Sequence, residues 1–301
     1  MLVFIILIAF SLQNHDPMKA RLVTSDIDHF WQAYENKADM KSTLETIYFG
    51  QASVGLKSFI SQRISSVDQL LKTINYRPRY YQELKKSTDR LQSMDKKIRS
   101  SLIALAYLYP QAEFPDVYFL IGRMNSGGTT SDDGLLIGVD MYGLTDGTDR
   151  GELDSWLNSV LKPIDDLPAI VAHELIHFQQ QFSTGKNLLK LAIKEGSGDF
   201  IGELISGSQI NQHVHDYANP REKELWLEFQ QDMNGENYQK WMFNGTNAKD
   251  KPADLGYWMG YKIVESYYNN QQDKRQAIHD ILNITDFDEF LAKSKYEDKF
   301  K

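Results

Sequence analysis

Apolar positions recur at helical spacing through most of the chain. They do so in "LETIYFGQASVGLKSFI" and again in "VDQLLKTINY", where they fall on one face of a 3.6-residue repeat. Arg77-Pro78 breaks the second segment, and "YYQELKKSTDRLQSMDKKIRSSLIALAYLYP" resumes a helix that stops before Pro110. Residues 26–110 are therefore expected to form a helical N-terminal region. The period shortens between 114 and 143, "FPDVYFLIGRMNSGGTTSDDGLLIGVDMYG", where β-branched and aromatic runs flank a loop rich in Gly, Ser, Thr and Asp at 125–134. Strands near 116–122 and 134–140 are expected there, joined as a hairpin with a long connection. Helical spacing returns at Asp165. "DDLPAIVAHELIHFQQQF" starts on acidic residues with Pro168 in its first turn and stops at "STGK". "NLLKLAIKEGSGDFIGELISG" follows, and "REKELWLEFQQDM", "LGYWMGYKIVESYYNN", "KRQAIHDILN" and "DFDEFLAKSKY" complete a C-terminal helical lobe. The expected fold is α+β and predominantly α-helical, with 26–110 and 111–301 packed as one compact unit.

The first residues follow neither period. "MLVFIILIAFSLQNHDP" is an apolar run that turns polar, too short to span a bilayer as a stable helix and suited to the apolar segment of an export signal. Ala9 and Ser11 are small and spaced for cleavage after Ser11, although no Lys or Arg precedes the run. Residues 1–25 are read as a leader or anchor that places the protein outside the cytoplasm, periplasmic or held at the membrane; a buried N-terminal strand is the alternative. Composition narrows the rest. A formal net charge of −8 argues against phosphate-backbone binding, which needs clustered Lys and Arg, so no nucleic-acid partner is expected. The chain contains no cysteine, so disulfides and thiolate metal sites are excluded and any transition-metal site must use His and carboxylates.

One such set stands out. In "VAHELIHFQQ", His173 and His177 lie one helical turn apart and can reach one ion, while Glu174 sits about 100° further round, beside the fourth coordination position. Neighbouring Ile170, Val171, Ala172, Leu175, Ile176 and Phe178 make the helix apolar on nearly every side. Polar groups buried there need partners, which a metal supplies. Eighteen residues beyond His177, Glu195 is placed to return on a second helix as third ligand, with Glu203 in reserve. Asp199, one turn on, can accept the spare ring N–H of a ligand histidine. Gly196, Gly198 and Gly202 cost a helix about 1 kcal/mol each relative to Ala, which suggests close approach of the two helices.

His173-Glu174-Leu175-Ile176-His177 followed by Glu195-Gly196-Ser197-Gly198-Asp199 resembles the gluzincin pattern of thermolysin-like zinc metallopeptidases. The wider layout is similar to uncharacterised bacterial families described as zinc-dependent proteases. The resemblance implies a zincin-like fold, Zn2+ bound by His173, His177 and Glu195, Glu174 as general base, and Asp199 behind the ligands. Lys194 stands where those enzymes usually carry Asn, and their histidine that steadies the transition state has no counterpart. Tyr257 and Tyr261 in "GYWMGYKI", or His213 and His215 in "NQHVHDY", are the available oxyanion donors. His213-x-His215 on a loop or strand would also offer a second metal site, without an evident third ligand. The strand "GLLIGVDM" is expected at the sheet edge before the metal helix, open to an added peptide strand. The leading expectation is thus a zinc-dependent metallopeptidase, a secreted or membrane-held hydrolase acting on a peptide or protein substrate. A non-catalytic, metal-stabilised envelope protein and a zinc hydrolase of non-peptide amides such as cell-wall material are the alternatives.

Overall fold

Two of the apolar runs lie side by side and point the same way. In the computed structural model, which describes residues 14–245 and 251–301, β2 (Val117–Leu120) pairs in parallel with β4 (Gly134–Gly138), Val117 opposite Leu135 and Leu120 opposite Gly138. Every residue of both strands is buried, as continuous apolar runs require when helices cover both faces of a sheet. The expected hairpin between them is therefore corrected. The hairpin that does form joins β4 to β3 (Gly128–Ser131), which runs antiparallel to it inside the stretch read as a loop. Its turn is Asp132-Asp133, closed by Gly134 at φ 137°, a value only glycine adopts freely. With β1 (Leu22–Val23) parallel to β2, the strand order is β1-β2-β4-β3. The run "GLLIGVDM" is thus central, and the edge belongs to β3.

The N-terminal helices are α1 (Ser25–Glu35), α2 (Met40–Thr43), α3 (Val54–Phe59), α4 (Val67–Tyr76), α5 (Pro78–Thr88) and α6 (Leu91–Leu108), with π-helical turns at Leu44–Phe49 and Ile60–Ile64. The break expected at Arg77-Pro78 separates α4 from α5. After the sheet come α7 (Ser155–Val160), α8 (Leu167–Gln179), α9 (Leu188–Ser206), α10 (Gln212–Ala218), α11 (Glu222–Asp232), α12 (Leu255–Asn270), α13 (Lys274–Leu282) and α14 (Phe287–Ser294). The fold is α+β and mainly helical. The apolar run of the expected 1–25 leader and its cleavage position lie within residues 1–13, outside the described residues, whereas residues 14–25 are described and Leu22–Val23 form β1. Among the described residues no helix is long and apolar enough to cross a membrane.

Three buried tyrosines fasten the N-terminal helices to the sheet. Tyr48 donates to Ile121 O at 2.7 Å and accepts from Ile121 N at 3.0 Å; Tyr81 donates to Gly122 O at 2.7 Å, and Tyr80 to Asp140 O at 2.8 Å. Asp140, 1% exposed, accepts from the backbone N–H of Gly122 at 2.8 Å and of Met124 at 2.5 Å, so it holds the chain leaving β2 beside the chain leaving β4. Burial pushes its carboxyl up to about 6 against those bonds. A carboxyl raised in the fold binds its proton more tightly there than in the unfolded chain, so its contribution favours folding in acid and is lost as pH climbs from about 4 through 6. Asp140→Asn removes this titration. Denaturant unfolding at pH 4 and pH 7 should show the variant gaining about 2–3 kcal/mol on the wild type across that interval, and a constant difference would overturn the assignment.

Candidate metal centre

α8 begins with Pro168 in its first turn, where a missing N–H costs nothing, and is buried along almost its whole length. α9 crosses it closely because Gly198 and Gly202 lack side chains at the contact. A Cβ on Gly198 would stand 2.9 Å from the His173 ring and 3.2 Å from that of His177, and one on Gly202 would stand 3.3 Å from the His173 backbone. This is the close approach that the glycines suggested. Gly196 serves a different neighbour: its Cβ would strike the backbone of Tyr261 on α12 at 2.1 Å.

Across this contact His173, His177 and Glu195 bring one donor atom each to a common point, and among the described residues they are the one such group. His177 Nε2 lies 2.9 Å from His173 Nε2 and 3.1 Å from Glu195 Oε2, and His173 Nε2 lies 3.7 Å from the same oxygen. The far ring nitrogens decide what these atoms carry. Gln180 spends both amide hydrogens on Lys194 O and Ser197 Oγ, each at 2.8 Å, which leaves its Oε1 to face His177 Nδ1 at 3.0 Å. His173 Nδ1 faces Asp199 Oδ1 at 2.8 Å, off the straight hydrogen-bond line. An amide oxygen and a carboxylate only accept, so these outer neighbours suit a proton on each Nδ1, the tautomer in which each Nε2 would turn a lone pair inward as a ligand.

In that tautomer three acceptors converge, an arrangement that repels itself unless a cation enters. A proton is one answer. Burial draws the His173 imidazolium down, but Asp199 and Glu195 outweigh it and push the group up to about 10. Burial likewise opposes the Glu195 carboxylate, yet the His177 and His173 rings hold it well below the usual range. A proton bridges only one pair of atoms. A divalent ion answers all three, since tetrahedral ligands at zinc's 2.0–2.1 Å bond lengths are spaced about 3.3 Å apart, and the observed separations bracket that value.

The remaining expected residues divide. Glu174 is outside the ligand set and is pressed by the edge strand, since a Cβ on Gly128 of β3 would lie 2.5 Å from its carboxylate. Tyr257 is half-buried beside the centre: burial first, then Glu195, push its hydroxyl far above its ordinary range. Tyr261 is committed elsewhere, donating to Glu203 Oε2 at 2.9 Å, and that bond ties up Glu203, the reserve ligand. "NQHVHDY" forms helix α10, not a loop or strand, so His213 and His215 diverge; His215 packs edge-on against Tyr261 at 4.7 Å and no second metal cluster forms among the described residues. Two positioning residues escape the sequence reading. Gln180, the C-cap of α8, faces the outer side of His177, and Asn211 donates to Asp199 Oδ2 at 2.9 Å, fixing the carboxylate behind His173. The i, i+3 spacing of Gln180 from His177 was the one available signal.

A family model described as gliding motility protein GldB matches residues 13–298. No curated protein and no solved structure matches the chain. The family match corrects the expected membership among gluzincin-type metallopeptidases and the bacterial families described as zinc-dependent proteases. With it falls the leading expectation of a peptide-bond hydrolase, and the protease and hydrolase descriptions attached to it. The physical reason is that His-Glu-x-x-His with a following carboxylate is a local property of two helices that could hold an ion, whereas the family match rests on nearly the whole chain. The short family name, GldB_lipo, marks lipoproteins and agrees with an envelope association, while none of the 301 residues is a cysteine able to carry a lipid. A match spanning almost every residue from one end to the other leaves one conclusion: the chain belongs to the family of the gliding motility protein GldB.

Proposed function

We propose that the protein is a non-catalytic, metal-stabilised component of the cell envelope that serves gliding motility. The reading is supported most by the convergence of His173, His177 and Glu195 between α8 and α9, taken with the family match. In it His173, His177 and Glu195 hold one zinc ion, and the ion supplies a cross-link between two buried helices. The zincin-like arrangement of α8, α9 and β3 is kept as a scaffold. The chain works outside the cytoplasm, exported or held by its N-terminal apolar segment, and its partners are envelope proteins; its acidic surface suits no role on nucleic acid.

The test separates scaffold from catalyst. Glu174→Gln leaves all three ligands in place, so cells carrying it should glide as the wild type does, and the purified variant should keep about one zinc per chain and its melting temperature. Chelation of the wild-type protein should lower that temperature. Loss of gliding in a Glu174→Gln strain whose protein keeps zinc and full stability would overturn the non-catalytic reading.

A further inference from the structure

The metal centre occupies one edge of the sheet, beside β3. At the opposite edge β1 is open. Arg21 O accepts from Val117 N at 2.8 Å, so in this parallel ladder the next residue, Leu22, turns its own N–H and C=O away from β2. Among the described residues neither group meets a partner. The open edge borders a cleft of about 520 Å³ between β1, α1 and the start of α6. Its floor is apolar, formed by Leu22, Ile27, Trp31, Leu91, Ile98 and Phe119. Its rim bears Asp28, Asp89 and Asp95, with Arg99 beside it donating to Ala20 O at 3.2 Å next to β1. Arg99 pairs with Asp95 at 3.1 Å, whereas Asp28 and Asp89 are exposed and take no part in an ion pair among the described residues.

We propose that this cleft binds an extended segment of a partner protein in which Lys or Arg alternates with aliphatic residues. A strand added beside β1 satisfies the free N–H and C=O of Leu22. Its period of two then sends alternate side chains down onto the apolar floor and the others up to the rim. At the rim two unneutralised carboxylates attract cations and repel acids, so the charge pattern sets the choice of partner. The site stands apart from the metal centre and goes beyond the structural role proposed above.

The probe is an end-blocked octapeptide alternating valine with lysine, titrated into the full chain and compared with its valine–glutamate counterpart. The lysine peptide is expected to bind saturably and to shift the Leu22 amide resonance, with affinity falling as salt is raised. The paired variant Asp28→Asn and Asp89→Asn, at two exposed positions, should weaken it about tenfold at unchanged melting temperature. Binding should persist in chelator, which separates failure here from failure of the metal reading. Equal binding of the glutamate peptide, full affinity in the paired variant, or a shift pattern that omits β1 would each overturn the proposal.

Discussion

His177→Ala should release the metal and, with it, most of the stability that the ion lends to the fold. The substitution removes one of three converging donors and leaves His173 and Glu195 on opposite helices, 3.7 Å apart. Two ligands cannot enforce tetrahedral geometry, so the loss should exceed the ten- to hundredfold typical of removing a group behind a ligand. Binding to the folded chain alone stabilises by about 4 kcal/mol when free zinc stands a thousandfold above its dissociation constant. For a protein of this size that amounts to on the order of 10 °C in melting temperature. Added zinc should therefore raise the melting temperature of the wild type and leave that of His177→Ala unmoved. Competition with a chromophoric chelator supplies the affinities, and a wild-type melt indifferent to both zinc and chelator would sink the metal reading.

Gly260→Ala is expected to destabilise strongly, against the sign that helix propensity gives. In an exposed helix the change favours folding by about 1 kcal/mol. Here the added Cβ would stand 1.7 Å from Ala192 O and 2.3 Å from its carbonyl carbon, where ordinary contact begins at 3.4 Å. The obstacle is backbone, which cannot rotate aside, so α9 and α12 must part. Overpacking of this kind costs about 3 kcal/mol or more. It also moves Glu195, one residue from Gly196 at the same helix contact, so zinc affinity should fall with stability. Gly202→Ala is the comparison. Its Cβ would meet the His173 backbone at 3.3 Å, a tightness that a small shift relieves, and its loss should be much smaller. Equal losses in the two variants, read by denaturant unfolding, would refute the account.

Local chemistry made much of this molecule legible. The break at Arg77-Pro78, the start of α8 near Pro168 and its end before "STGK" follow from residues a few positions away. The pairing of His173 with His177 follows from helix pitch alone, and the return of Glu195 follows from the short turn between two helices. Failures begin where partners are distant. β2 and β4 looked like a hairpin because both are apolar and near in sequence, yet full burial of both favoured parallel pairing between helices. β3 was missed because "GTTS" is polar, and its strand form comes from the ladder it makes with β4. Gly196 was linked to the metal helix, but only the packing of α12 reveals its use.

The sequence by itself determined the helical periods, the absence of thiol chemistry and the presence of two imidazoles and a carboxylate at spacings that allow one ion. Tertiary structure decided what each ring meets on its outer side, Gln180 behind His177 and Asp199 behind His173. It also decided that Tyr261 is occupied by Glu203, that the two histidines of α10 part company, and that the second sheet edge opens onto an acidic cleft. Spacing along a chain fixes what a helix face can present. What that face meets is fixed by close packing between segments far apart in sequence, where a hydrogen bond already made is no longer free for chemistry.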